Sequence, residues 1–309
     1  MLRIEDLSKT FPGRVTPAVD GLNLELRDGE VLGLVGLNGA GKTTTIRAAA
    51  GVSLPSKGRI LVDGHDVVRD KVRASERIGW VPELFPFEPN AKAARLLTFY
   101  AGFHGVTGEA ARHRAYELLE RVGLKGVEDV RVRTYSQGMK KRFGLAAAML
   151  AEPQHLLLDE LLNGLDPEGM AFVRSWILDL RRQGKGVLLS SHQLAELQAL
   201  ADRVAFIHRG RLLKTVGRAE LAQASDTTLH VVIENLDAAA IEYLGTLGSV
   251  HVDGSTVRLA HPSADAATIN VELARRGYRV SELRGEGSSL EAYFLRLIQD
   301  PSTVGGVGQ

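Results

Sequence analysis

Short apolar runs bounded by turns alternate with stretches of helical spacing along most of this chain. Leu2 to Leu7 and Leu22 to Leu26 alternate apolar and polar positions, as edge or antiparallel strands do. Val31 to Val35 is instead apolar throughout, the look of a buried parallel strand, and Thr44 to Ala50 after it reads as a helix. Arg59 to Val62 closes on an Asp63-Gly64 turn, and Ile78 to Val81 stops at Pro82. From about Asn90 to Leu150 the apolar spacing is three and four, which predicts a helical insert. Leu96, Leu97, Tyr100 and Phe103 line one helix there; Tyr116, Leu118, Leu119 and Val122 line another. The alternation then resumes with strand His155 to Asp159 and helix Met170 to Arg181. Strand Gly186 to Leu189, helix Gln193 to Ala201 and strands Arg203 to His208 and Arg211 to Val216 follow. A helix over Arg218 to Ala224 ends this region.

Beyond Ser225 the rhythm changes. Strand Leu229 to Ile233 and helix Ala238 to Leu247 precede two short strands, Val250 to Val252 and Val257 to Ala260, joined across Asp253-Gly254. Helix Ala264 to Arg276 and strand Tyr278 to Leu283 complete β-α-β-β-α-β, the split βαβ or ferredoxin-like order. An amphipathic helix, Leu290 to Ile298, comes last. We therefore expect one domain over residues 1–224, an accessory or regulatory domain over 225–300, and a flexible tail over 301–309.

The bulk numbers exclude more than they assign. Lys+Arg total 38 and Asp+Glu 37 among 309 residues, so no net field recruits nucleic acid or an anionic membrane. Zero cysteines leave no disulfide and no thiolate metal site. The first residues, MLRIEDLSKTF, carry charge too early for a signal peptide. No run approaches the roughly 20 apolar residues of a membrane helix. Work at a membrane would need partner chains.

The chemistry gathers at Gly36 to Thr43, GLNGAGKT, which fits G-x-x-x-x-G-K-S/T between a predicted strand and a predicted helix. Gly36, Gly39 and Gly41 let the backbone curl so that successive N–H groups face one phosphate chain, and the helix start adds to that field. Asn38 and Ala40 lie within the same loop and Thr44 just after it. Lys42 is a mobile ammonium for the β- and γ-phosphates, and the Thr43 hydroxyl is a ligand for Mg²⁺. A ligand-free glycine turn would not need Lys-Thr at this spacing.

Two further segments suit the same task. The strand HLLLDE ends in Asp159 and Glu160 at a C-terminal strand edge, where doubly wound sheets bind ligands. Asp159 would hold Mg²⁺ through water and Glu160 would polarise an attacking water. Taken alone, this is equally a buried strand ending in solvated acids. Tyr135 to Arg142, YSQGMKKR, reads as a helix start with Ser136 as N-cap and Gly138 allowing close backbone approach. Taken alone, it is an ordinary capped helix.

Together, in this order, these segments resemble the ATP-binding subunits of ABC transporters, over about Leu2 to Ala224. Ser136 to Met139 matches the signature loop of that family as SQGM rather than SGGQ. Gly164 to Asp166 is similar to its D-loop, Ser191-His192 to its switch histidine, and Phe11 sits where the family places an aromatic against adenine. The resemblance implies an α/β P-loop NTPase fold of the ABC type with a helical subdomain at about 84–150, followed by the small α+β ferredoxin-like domain. It implies ATP and Mg²⁺ as cofactors. ATP would meet Phe11, Gly36, Asn38, Gly39, Ala40, Gly41, Lys42, Thr43, Thr44 and Asp166, with Ser136, Gln137 and Gly138 completing the site of a second subunit. Thr43, Glu83 and Asp159 would hold the metal; Glu160 and His192 would be catalytic.

The variant signature and the ending SLEAYFLRL are most similar to drug, antibiotic and polysaccharide exporters of the family. The function so implied is ATP hydrolysis powering export through integral membrane permease subunits, at the cytoplasmic face of the membrane. Those partners would dock near Phe85 to Tyr100, and the ATPase would pair as a homodimer or heterodimer without nucleic acid. The alternative is an importer ATPase whose C-terminal domain senses substrate. A soluble ATPase acting on ribosomes or DNA would need a second nucleotide domain or long coiled coils, and neither is present. Two departures stand out. Glu83 occupies the position where the family usually has Gln, and Leu161-Leu162 replaces Pro-Thr after the acid, which leaves the approach to the D-loop without its rigid ring.

Overall fold

The computed structural model describes residues 1–192, 194–220, 227–260, 262–287 and 290–299, in two units, Met1–Gly217 and Arg218–Gln309. The chain opens with β1 (Leu2–Lys9) and β2 (Val19–Leu26), paired antiparallel with Leu2 opposite Leu26 and Ile4 opposite Leu24. β3 (Val31–Val35) is buried at every position, and α1 (Lys42–Ala49) follows its loop. β4 (Lys57–Val62) returns to the other side of β1, and β5 (His65–Asp66) completes a four-stranded sheet in the order β2-β1-β4-β5. α2 (Lys71–Glu76) then leads to β6 (Ile78–Val81).

The helical insert consists of α3 (Ala93–Gly102), α4 (Gly108–Arg121), a 3₁₀ turn at Val132–Thr134 and α5 (Gln137–Ala148). After it come β7 (His155–Leu158), α6 (Pro167–Arg182), β8 (Gly186–Ser191), α7 (Leu194–Leu200), β9 (Arg203–His208) and β10 (Arg211–Gly217). The second sheet runs β10-β9-β3-β8-β7-β6, parallel except for β10. Ile46, Ala48 and Ala49 of α1 share one core with Leu2, Ile4 and Leu7 of the first sheet and Leu32, Leu34 and Leu188 of the second. The phosphate-loop helix is thus gripped by both sheets, and its small side chains allow that approach.

Helix starts lie earlier than apolar spacing indicates. α1 starts at Lys42, not Thr44, and α6 at Pro167 rather than Met170, while α5 starts at Gln137, directly after the Ser136 cap expected from the sequence. At α5 and α6 the reason is capping: Ser136 Oγ accepts from Met139 N at 3.2 Å, and Asp166 Oδ1 accepts from Gly169 N at 2.8 Å. Proline suits the first position of α6 because its missing N–H would have had no helical acceptor. In α3, Leu96 and Leu97 are buried, but Phe103 lies past the helix end and is 74% exposed.

The second unit contains β11 (Thr227–Glu234), α8 (Ala238–Leu247), β12 (Ser249–Asp253), β13 (Thr256–Ala260), α9 (Ala266–Arg275), β14 (Arg279–Gly287) and α10 (Leu290–Gln299). Its sheet is antiparallel throughout, in the order β12-β13-β11-β14. Asp237 and Asp265 cap α8 and α9. A separate core gathers Leu229, Val231 and Ile233 of β11, Leu244 of α8, Val257 and Leu259 of β13, and Ile269 and Leu273 of α9. Of the helix read over 218–224, residues 218–220 are helical. Residues 221–224, the boundary at 224/225, the helix start at Gln193 and the tail over 301–309 lie outside the described residues. Among the described residues no helix is long and apolar enough to cross a membrane.

Candidate functional site

Parallel strands in register deliver their C-terminal ends to one edge. Val81 of β6 lies opposite Leu158 of β7, Leu158 opposite Leu189 of β8, and Ser191 of β8 opposite Val35 of β3. The residues just beyond those ends are Glu83, then Asp159 and Glu160, then His192, and the loop Gly36 to Gly41. A cleft of about 720 Å³ opens there. It is lined by Phe11, Asn38, Gly39, Ala40, Gly41, Lys42, Thr43, Thr44, Glu83, Glu160 and His192, all singled out from the sequence. Arg14, Arg47 and Asn163 line it too, and were not.

The loop is built by close approach. A Cβ on Gly36 would stand 2.4 Å from the Ile207 carbonyl oxygen, and one on Gly41, whose φ is 108°, would stand 2.6 Å from that of Ala18. No side chain caps α1, so the N–H groups of its first turn are left for a ligand. The buried Lys42 Nζ donates to the Gly36 carbonyl at 2.7 Å and pairs with Glu160 Oε1 at 3.3 Å. Lys9 Nζ lies 5.1 Å from the Phe11 ring centre, which holds that partly exposed ring near the mouth.

The two carboxylates are tuned in opposite directions. Burial raises Asp159 above the ordinary aspartate range, and the nearby charges of Glu160 and Glu83 add to the rise. Hydrogen bonds from Ser190 Oγ at 2.8 Å and Thr43 Oγ1 at 3.2 Å only partly offset this. Burial would raise Glu160 too, but the Lys42 charge and hydrogen bonds from Asn163 and His192 outweigh it and hold Glu160 below its usual range. Asn163 Nδ2 donates to Glu160 Oε2 at 2.8 Å, and His192 Nδ1 lies 3.0 Å from the same oxygen. Ser190 Oγ also accepts from Glu160 N at 2.9 Å, fixing the backbone of the acid.

Ser136, Gln137, Gly138 and Asp166 do not line this cleft. Ser136 and Gln137 are exposed at the start of α5, and Leu165 is the neighbour a Cβ on Gly138 would approach most closely, at 3.6 Å. α5 is tied to the site from behind. Phe85, two residues after Glu83, packs so tightly on Gly144 that a Cβ there would stand 2.2 Å from its ring, and it stacks on Phe87 at 4.9 Å. Lys141, buried, donates to the carbonyls of Glu160, Leu161 and Asn163. Burial pulls Lys141 below the usual lysine range against the charges of Glu83 and Glu160. Leu161 and Leu162 are fully buried, so packing holds the segment where the family's proline is missing.

The sequence profile of the ABC transporter family matches residues 19–163. The daunorubicin resistance ATP-binding protein of Streptomyces coeruleorubidus is 35% identical over 294 residues, 93% of either chain. The bacitracin transport ATP-binding protein of Bacillus licheniformis is 33% identical over 308 residues, 96% of this chain and 97% of its own length. This chain belongs to the ABC transporter ATP-binding family. A solved ATP-binding subunit of an ABC transporter, 26% identical, superposes with a TM-score of 0.65 over 72% of this chain and 92% of its own. The protein has the ABC cassette fold, binds ATP and is the ATP-hydrolysing subunit of an ABC transporter.

The donor set also suits a hard divalent cation. The Thr43 hydroxyl and Asp159 carboxylate lie 3.2 Å apart, both are oxygen ligands, and the raised Asp159 carries charge that a cation would relieve.

Proposed function

We propose that this chain powers export through separate membrane-spanning subunits, from the cytoplasmic face of the membrane. The observation that carries the site assignment is the Lys42–Glu160 pair at 3.3 Å, which sets the phosphate-binding lysine beside a carboxylate held ionised. The first-turn N–H groups of α1 and Lys42 bind the β- and γ-phosphates, and Phe11 stacks on the adenine. Glu160 accepts the proton of the water that attacks the γ-phosphorus, and the bond to the ADP oxygen breaks. Asn163 and His192 aim that carboxylate, and His192, half exposed, is also free to reach the γ-phosphate. Thr43, Asp159 and, from its exposed loop, Glu83 would hold Mg²⁺, which would supply charge neutralisation at the phosphate oxygens when bound.

Two chains pair so that Ser136, Gln137 and Gly138 of one complete the cleft of the other. Support comes from the exposure of Ser136 and Gln137, with Gly138 half-buried beside them, at a helix start that lines no part of their own cleft. The export reading rests on relatives named for bacitracin transport and daunorubicin resistance along nearly the whole chain. The helical insert, with Leu84, Phe99 and Phe103 exposed, is the surface for the permease. The accessory domain expected over residues 225–300 serves as a ferredoxin-like dimerisation or regulatory module, a reading supported by the antiparallel order β12-β13-β11-β14 with helices after its first and third strands.

The test is Glu160→Gln. ATP binding should persist while turnover falls about 10²- to 10⁴-fold, because the amide cannot accept the proton. ATP should then hold a closed dimer, detectable by light scattering. Near-normal turnover would place the base elsewhere.

A further inference from the structure

We infer that Lys141 is a positioning residue for hydrolysis: from α5 it fixes the backbone of the loop that carries Glu160. This rests on the reading of Glu160 as the base. A lysine has three N–H donors, and the three contacts of Lys141 Nζ are the carbonyl oxygens of Glu160, at 3.3 Å, of Leu161, at 2.7 Å, and of Asn163. The carboxylate of Glu160 is taken by Lys42, Asn163 and His192, so Lys141 meets only the backbone of that residue. A buried ammonium whose hydrogen bonds, among the described residues, all go to carbonyls holds best while those carbonyls stay in place, since withdrawing one leaves a charged donor dry and unpaired. Two of the three carbonyls belong to residues whose side chains are themselves joined, Glu160 and Asn163. The clamp therefore sets the carboxylate and its orienting amide as one piece.

The placement adds a direction to this clamp. Lys141 lies one turn beyond the exposed start of α5 at Ser136, on the helix into whose Gly144 Phe85 of the Glu83 loop is packed. Displacement of α5 by a contact at its start is delivered to the Glu160 loop through one side chain. In the family pattern a proline ring restrains that loop; here the buried Leu161 and Leu162 side chains anchor it by packing, and Lys141 fixes its carbonyls from outside.

The experiment compares Lys141→Met and Lys141→Gln in the full chain, with Glu160→Gln alongside. Methionine keeps length and burial but donates nothing; glutamine keeps two donors on a shorter arm. The expected result is a fall in kcat of about a hundredfold for the methionine chain, with KM for ATP and equilibrium ATP binding unchanged. The glutamine chain should recover part of that loss. If the methionine chain does not melt cooperatively, the glutamine chain carries the test, with reduced kcat at unchanged KM as the supporting outcome. Wild-type kcat in both chains beside an inactive Glu160→Gln would overturn the role of Lys141 and leave the proposed base standing. Loss of ATP affinity in step with kcat would make Lys141 merely structural and also overturn it. Wild-type turnover in Glu160→Gln would remove the base, and the positioning role with it.

Discussion

In the first unit β6, β7, β8, β3 and β9 run the same way, so every C-terminal strand end faces one edge and the loops after four of them meet in a single cleft. In the second unit each strand runs opposite to its neighbours, so loops from adjacent strands leave from opposite edges. Both sheets bury apolar faces under helices, and each unit has its own core of buried side chains. What differs is where polar groups collect. The parallel edge concentrates Lys42, Asp159, Glu160 and Ser190, all buried, and shifts the two carboxylates in opposite directions, Asp159 up and Glu160 down. In the antiparallel unit His230 is the one buried polar residue among those described. Strand direction, more than composition, decides which unit can do phosphate chemistry.

If the two units really keep separate cores, damage to one should leave the other's function alone. Leu229→Ala removes a buried side chain from the core of the second unit and should cost it about 2–5 kcal/mol. Differential scanning calorimetry should show that unit melting earlier, with KM for ATP unchanged; a matching loss of ATP affinity would merge the two units energetically. Gly36→Ala attacks the other side of the comparison. The added methyl meets the Ile207 carbonyl, and displacing it should cost about 1–3 kcal/mol. ATP should bind roughly tenfold to a hundredfold more weakly, while the second unit melts as before. Titration calorimetry reads the first effect directly, and undiminished affinity would mean that the loop does not need this close approach.

The smallest effect separates the units by pH. His155, fully buried at the start of β7, has its pKa lowered chiefly by burial, against a hydrogen bond to Asp63 at 3.1 Å. Below about pH 6.5 the unfolded chain takes up a proton at this residue that the folded chain resists, so stability falls as the pH drops. His155→Gln should flatten that slope for the first unit, by about 1 kcal/mol or less between pH 6.5 and 5. Urea melts at a series of pH values would reveal the change, and an unaltered slope would assign the acid sensitivity to other groups.

The phosphate loop was readable because its glycines, lysine and threonine are contiguous and lie between two periodic segments. The strand ends carrying Asp159 and Glu160 were readable for the same reason. The second unit was legible from alternation and the Asp253-Gly254 turn. Lys141 was not, because in YSQGMKKR it looks like one of three solvated cations, and only the facing of α5 toward the loop after β7 buries it. Ser190 acts across two neighbouring strands, on residues 30 and 31 positions away, and no local pattern marks it. Asn163 reaches Glu160 only three residues back, but an asparagine in a loop carries no periodic signal. β5 has two residues, too few for any period to register.

The pairing of Lys42 with Glu160 has a bearing on idling. A phosphate that reaches this lysine must take over an ammonium already engaged by a carboxylate, so arrival is an exchange of one anion for another. On the proposed roles, the same exchange frees the group that activates water. Fuel and ignition are thereby wired in series: on those roles, the base is released by the very molecule it helps to cleave.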